Sequence, residues 1–121
     1  GEESGSYNQL AYIYAHLGRK KDSQKMLEAN IKSTLQWLAR GDEGPASRMD
    51  LAVSYRLQGN SADAYKWLRE SVKAGWIDYR VVAINPLFDG FRSDAEFNQI
   101  LGDIKAKVAA MRKHADGLDA D

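Results

Sequence analysis

The chain matches itself without gaps at an offset of 41 residues, and this constrains its fold more than any other feature. Gly18 falls on Gly59, Leu10 on Leu51, Ala11 on Ala52 and Tyr14 on Tyr55. Further along, Asp22, Lys25, Leu27 and Lys32 fall on Asp63, Lys66, Leu68 and Lys73, and Ile31 on Val72. A repeat of this period marks a stacked architecture: each copy is one supersecondary unit that buries its apolar face only against a neighbour.

Each copy reads as two helices. Tyr7, Leu10, Ala11, Tyr14 and Leu17 recur at helical spacing, which predicts one apolar stripe closed by Gly18. Leu27, Ile31, Leu35 and Leu38 predict a second, closed by Gly41-Asp42-Glu43-Gly44. In the second copy Pro45 suits a first helical turn, and Leu51, Ala52 and Tyr55 form the stripe up to Gly59. Asn60 or Ser61 can then cap a helix carrying Ala64, Tyr65, Leu68 and Val72 before Gly75. The small Ala11 and Ala52 allow paired helices to approach closely, with Tyr14 and Tyr55 filling the wedge beside them.

Tyr7–Leu10–Ala11–Tyr14–Gly18 with Leu27 and Ile31 resembles the tetratricopeptide repeat, as does Leu51–Ala52–Tyr55–Gly59–Ala64–Leu68–Val72. Arg48 stands where that family often has an aromatic residue, Ser23 replaces its usual alanine, and the family's proline at the end of the second helix is missing. The period exceeds the family's typical length of about 34 by roughly two helical turns. These turns fit within Ile31–Arg40, giving an over-long second helix with Trp37 near its free end.

After Gly75 the text changes. Trp76–Ile84 reads as a short helix or a strand, ended by Asn85-Pro86. Ser93-Asp94-Ala95-Glu96 has the form of a capping box. Phe97, Ile100, Leu101, Ile104, Val108 and Met111 then predict a long amphipathic helix with Arg112, Lys113 and His114 at its end. Trp76, Asn85-Pro86-Leu87-Phe88-Asp89, Arg92-Ser93-Asp94 and Phe97 resemble a segment that closes many bacterial tetratricopeptide arrays. The resemblance implies an all-α fold, an α-solenoid of antiparallel helix pairs: two repeats plus a degenerate third unit with a C-terminal capping helix. The boundaries read as a linker or cloning remnant over 1–6, the helical repeat domain over 7–114, and a frayed tail over 115–121.

Composition narrows the function. Lys plus Arg and Asp plus Glu number 17 each, so the basic excess of a nucleic-acid binder is missing. No apolar run approaches the roughly 20 residues that span a bilayer, so no membrane insertion is expected. No signal-peptide core is read. The compartment stays unassigned, with the cytoplasm favoured.

The 121 residues contain no cysteine and only two histidines, His16 and His114. Zinc needs three or four convergent ligands, so no metal site is expected. With no serine in a strand-to-helix elbow, no catalytic residue, enzyme activity or cofactor is expected either. Gly41–Gly44 lacks the lysine and hydroxyl residue of a phosphate-binding loop and reads as a turn. Arg19-Lys20-Lys21 reads as a solvated turn between helices.

The resemblance places Asn8, Tyr12, Ala15 and His16, then Met49, Val53, Arg56 and Leu57, along the concave groove lined by the first helix of each pair. Trp37 is a further candidate anchor, exposed on the overhang. The groove set lacks the convergent Lys/Asn/Arg by which some members hold a C-terminal carboxylate. The expected function is therefore a non-catalytic scaffold binding a protein or peptide. The alternative is a regulatory or oligomerisation segment of a larger bacterial signalling protein (kinase, cyclase or winged-helix regulator), self-associating or packing on an N-terminal output domain.

Overall fold

A computed structural model describes the backbone of residues 2–119 and the side chains of residues 7–118. All its regular structure is helical, and no strand occurs among the described residues. The helices are α1 (Glu2–His16), α2 (Lys20–Ala39), α3 (Pro45–Leu57), α4 (Ser61–Lys73), α5 (Tyr79–Ile84), α6 (Asp89–Arg92) and α7 (Ala95–Asp119), with a 3₁₀ turn at Pro86–Phe88. Where the sequence reads one domain over 7–114, the contacts gather into two compact units, 1–76 and 77–121.

In the first unit α1 packs on α2, α3 on α4, and α3 also on α1 and α2. The two hairpin turns are superposable in their bonding. Gly18 has φ +78° and Gly59 φ +88°. The Gly18 amide donates to the Ala15 carbonyl (3.2 Å) and the Arg19 amide to that of Tyr14 (2.8 Å). The Gly59 amide donates to Arg56 (3.0 Å) and the Asn60 amide to Tyr55 (2.9 Å) in the same register. This is the Schellman closure, which requires a left-handed residue and so glycine. Asn60 then caps α4, its side-chain oxygen accepting from the Asp63 amide at 3.2 Å.

Two of the departures from the repeat pattern, Ser23 and Arg48, have bonded roles. The buried Ser23 hydroxyl donates to the Ala11 carbonyl at 2.7 Å, tying α2 to α1 where the second copy has the buried Ala64. The Arg48 guanidinium donates to the carbonyls of Gly44 (2.8 Å) and Asp42 (3.2 Å), fastening the loop before α3. Asp42 accepts from the Ser47 hydroxyl and from the Gly44 amide at 2.9 Å. The Ser47 bond above all, then the Gly44 amide, hold its carboxyl below the usual range.

α2 has 20 residues and α4 has 13, so the extra turns of the first copy lie in α2. The predicted stripes are corrected in phase. Leu10 and Leu17 of α1 and Leu35 of α2 are exposed; on the buried face of α2 the expected Leu27 is joined by Ser23, Asn30 and Thr34. Ser23 turns toward the Ala11 carbonyl of α1, and Asn30 toward Asp50 and Ser54 of α3.

In the second unit Val82, Phe88, Phe91, Phe97, Ile100 and Ile104 are buried. The Phe91 and Phe97 rings stack with centroids 5.2 Å apart, Phe88 follows at 6.1 Å from Phe91, and α7 packs on α5 and α6. Arg92 holds the bend, donating to the carbonyls of Asn85 (2.6 Å) and Val82 (3.3 Å). Ser93 closes α6, so α7 starts at Ala95. Its apolar stripe stops being covered after Val108, since Met111 is exposed.

Helical backbone begins at Glu2, and α7 runs to Asp119. An interior glycine such as Gly5 or Gly117 costs about 1 kcal/mol against alanine, which does not stop a helix carried by its other turns. Gly1, Ala120 and Asp121 lie outside the described residues.

The repeat-equivalent pair Leu10 and Leu51 gives a direct check. Leu51→Ala, in a fully buried site, should lower unfolding stability by about 2–5 kcal/mol. Leu10→Ala, on the open side of α1, should lower it by less than about 1 kcal/mol. Urea titration of both variants measures the difference, and equal losses would contradict the packing of α3.

Candidate functional site

The first unit is organised around a closed ring of hydrogen bonds joining three helices. Asn8 of α1 donates from Nδ2 to the Asp50 carboxylate (2.7 Å) and to the Asp50 carbonyl (3.1 Å) on α3. Asn30 of α2 donates to the other Asp50 carboxylate oxygen (2.9 Å) and to the Ser54 hydroxyl (2.7 Å). Ser54 closes the ring by donating to Asn8 Oδ1 at 2.6 Å. Asp50 and Ser54 are one helical turn apart on α3, so both reach the same pair of amides. Asn8, Asn30, Ser54 and the neighbouring Thr34 are all buried.

Burial pushes the Asp50 carboxyl above its ordinary range, against the opposing bonds from Asn30 and Asn8. A ring of this kind fixes the register of its helices, because misplacing any member strands a buried donor. Among the described residues, no three metal-ligating side chains gather. None of their helices is long and apolar enough to cross a membrane.

This geometry redraws the groove expected from the sequence. Asn8, Met49 and Val53 are buried, and Asn8 is committed to Asp50 and Ser54, so these three offer no free surface. The physical reason is the position of α3: with α1, α2 and α4 packed on it, little of its circumference stays open. Arg56 and Leu57 are half-buried, and the Arg56 guanidinium donates to the Ser61 hydroxyl at 3.3 Å.

Tyr12 and His16 remain accessible as a pair. Tyr12 is half-buried and His16 exposed, with ring centroids 4.2 Å apart and His16 Nδ1 lying 3.0 Å from the Tyr12 carbonyl. Ala15 beside them is exposed. Trp37 is 49% exposed and lines a shallow cleft with Arg40 and Asp42. In the turn between α1 and α2, Arg19 lies over the Tyr14 ring (4.5 Å) and pairs with Asp22 at 2.8 Å. Sequence reasoning missed Asn30, Thr34, Asp50 and Ser54, although Ser23–Leu27–Asn30–Thr34 has the spacing of one helix face.

Comparison with protein-family models, curated proteins and solved structures finds no match to the chain.

The ring predicts a pH signature. Because the folded-state Asp50 carboxyl is raised, its contribution to stability is fully present below the ordinary carboxyl value near 3.9 and is lost as pH rises through the raised value. Asp50→Asn removes the titration, and the Asn30 Oδ1, which has no hydrogen-bond partner among the described residues, can accept from the new amide after a flip. Between pH 7 and pH 3.5 the wild type should therefore gain thermal stability relative to Asp50→Asn. A constant difference in melting temperature across that range would contradict the assignment.

Proposed function

We propose that this chain is a non-catalytic, tetratricopeptide-like helical repeat module that binds another protein or peptide. In this reading the helix pairs α1–α2 and α3–α4 are two repeats of an α-solenoid. The segment from residue 77 is a degenerate third unit, ending in a helix of the kind that caps an array. The observation that carries the reading is the pair of identical glycine closures at Gly18 and Gly59, one period apart. It is supported by the equivalent burial of the small Ala11 and Ala52.

Binding is assigned to the accessible part of the first repeat, centred on the Tyr12–His16 pair. An aromatic residue with a polar tip gives contact area at small entropic loss, and Tyr is enriched among residues that dominate interface energies. Arg56 and Leu57 contribute only their open edges.

Photo-crosslinking tests this. With a benzophenone residue in place of Ala15, the chain should capture a discrete protein partner from its native cells. The same residue in place of Ala110 should not. Tyr12→Ala should remove most of the adduct while shifting the melting temperature by no more than a few degrees. No adduct at position 15, or one that survives Tyr12→Ala, would contradict the assignment.

A further inference from the structure

Apolar residues recur along α7 at alternating steps of four and three: Phe97, Leu101, Ile104 and Val108, then Met111, Ala115 and Leu118. This is the heptad spacing of a helix that presents one narrow seam to another helix over its length. Only the first half of the seam is covered. Phe97 and Ile104 are buried and Leu101 and Val108 half-buried, where α5 and α6 pack on α7. From Ala109 to Leu118 every residue is exposed, Met111 at 51% and Leu118 at 62%. Ala109, Ala110, Met111, Arg112 and Lys113 are strong helix formers, so the helix continues here without packing.

The charges beside the seam select its occupant. Residues 105–113 hold Lys105, Lys107, Arg112 and Lys113 and no acidic residue, whereas residues 116–121 hold Asp116, Asp119 and Asp121 and no basic one. None of the four cations forms an ion pair among the described residues. Laid antiparallel on a second copy, the basic stretch of each helix meets the acidic stretch of the other, twice over by symmetry. Laid parallel, like charge meets like. The antiparallel arrangement also matches the seam to itself, Val108 opposite the copy's Leu118 and Met111 opposite its Ala115. This stretch of α7 carries its own complement in both charge and apolar spacing. That singles out a copy of the chain, since any other helix would have to bring the same blocks in reverse order.

We infer that the chain self-associates through the exposed half of α7, residues 108–118 of two copies pairing as a short antiparallel coil. Free helices of this length are marginal in water, but each here extends a helix already held by the buried Phe97 and Ile104. The interface is small, so the dimer is weak and exchanges with monomer. Self-association goes beyond the binding assigned to the first repeat and uses a different helix, so the two assignments fail separately. Ala110 lies off the seam, and the crosslinking control at that position stands.

Sedimentation equilibrium of the full 121-residue chain should show a reversible monomer–dimer equilibrium. Leu118→Lys, at an exposed site, should raise the dissociation constant at least tenfold. Ile84→Lys, at an apolar residue of α5 that is 80% exposed, should leave it unchanged. The chain has no cysteine, so single introduced cysteines report the orientation. Under mild oxidation, Val108→Cys and Leu118→Cys chains should form a disulfide when mixed, and neither should do so alone, because only the mixed pair comes within bonding reach. A chain that stays monomeric up to about 1 mM would overturn the inference. So would a dimer indifferent to Leu118→Lys, a mixture that forms no disulfide, or a disulfide formed by Leu118→Cys alone, which would mark a parallel pair.

Discussion

Asp50 carries a carboxylate into the meeting place of three helices, and the first unit is arranged so that this is tolerable. Two amides from different helices converge on its two oxygens, and Ser54 links those amides to each other. An unpaired carboxylate in such a place would be expelled or protonated, so α1 and α2 are held at the positions where Asn8 and Asn30 can reach it. Apolar contacts at Leu27, Leu51 and Leu68 supply the general drive to pack. The ring supplies the register, because leucines can slide past one another and a closed cycle of hydrogen bonds cannot.

The same ring accounts for the unequal surfaces of the two copies. Polar residues at Asp50 and Ser54 suit a helix that is enclosed and finds matching amides. Gln9 and Ile13 at the equivalent places have no such partners among the described residues. The two copies thus share their turns, at Gly18 and Gly59, and their buried small residues, at Ala11 and Ala52, while differing in the face that meets a neighbour. Conserving the hairpin and varying the face is what a repeat requires if each copy has a different surrounding.

Much of the fold was legible from the sequence because its signals are local. Gly18 and Gly59 mark backbone that only glycine adopts easily, Asn60 caps the next helix, and the extra length of the first copy resides in α2. What was not legible depends on which helix ends up enclosed. Leu10 and Leu51 are the same residue in the same pattern, yet one is open and the other buried, because α3 is packed by α1, α2 and α4 while α1 is packed mainly by α2 and α3. Met49 and Val53 sit at positions that a groove reading leaves free, and the enclosure of α3 removes them from the surface. Asn30 looks like a solvated polar residue on a long helix, and its role emerges only when Asp50 arrives on α3, 20 residues away.

The claim on which these points converge is that α3 is the pinned helix of the first unit, held by the ring around Asp50. Native-state amide hydrogen exchange addresses it directly, since each amide reports the free energy of the opening that exposes it. The amides of Leu51 to Tyr55 should exchange only through global unfolding of the unit. Those of Ile13 to His16, at the open end of α1, should exchange through smaller openings, orders of magnitude faster. If the amides of α3 exchanged as fast as those of α1, the ring would not be pinning that helix and the account would be wrong.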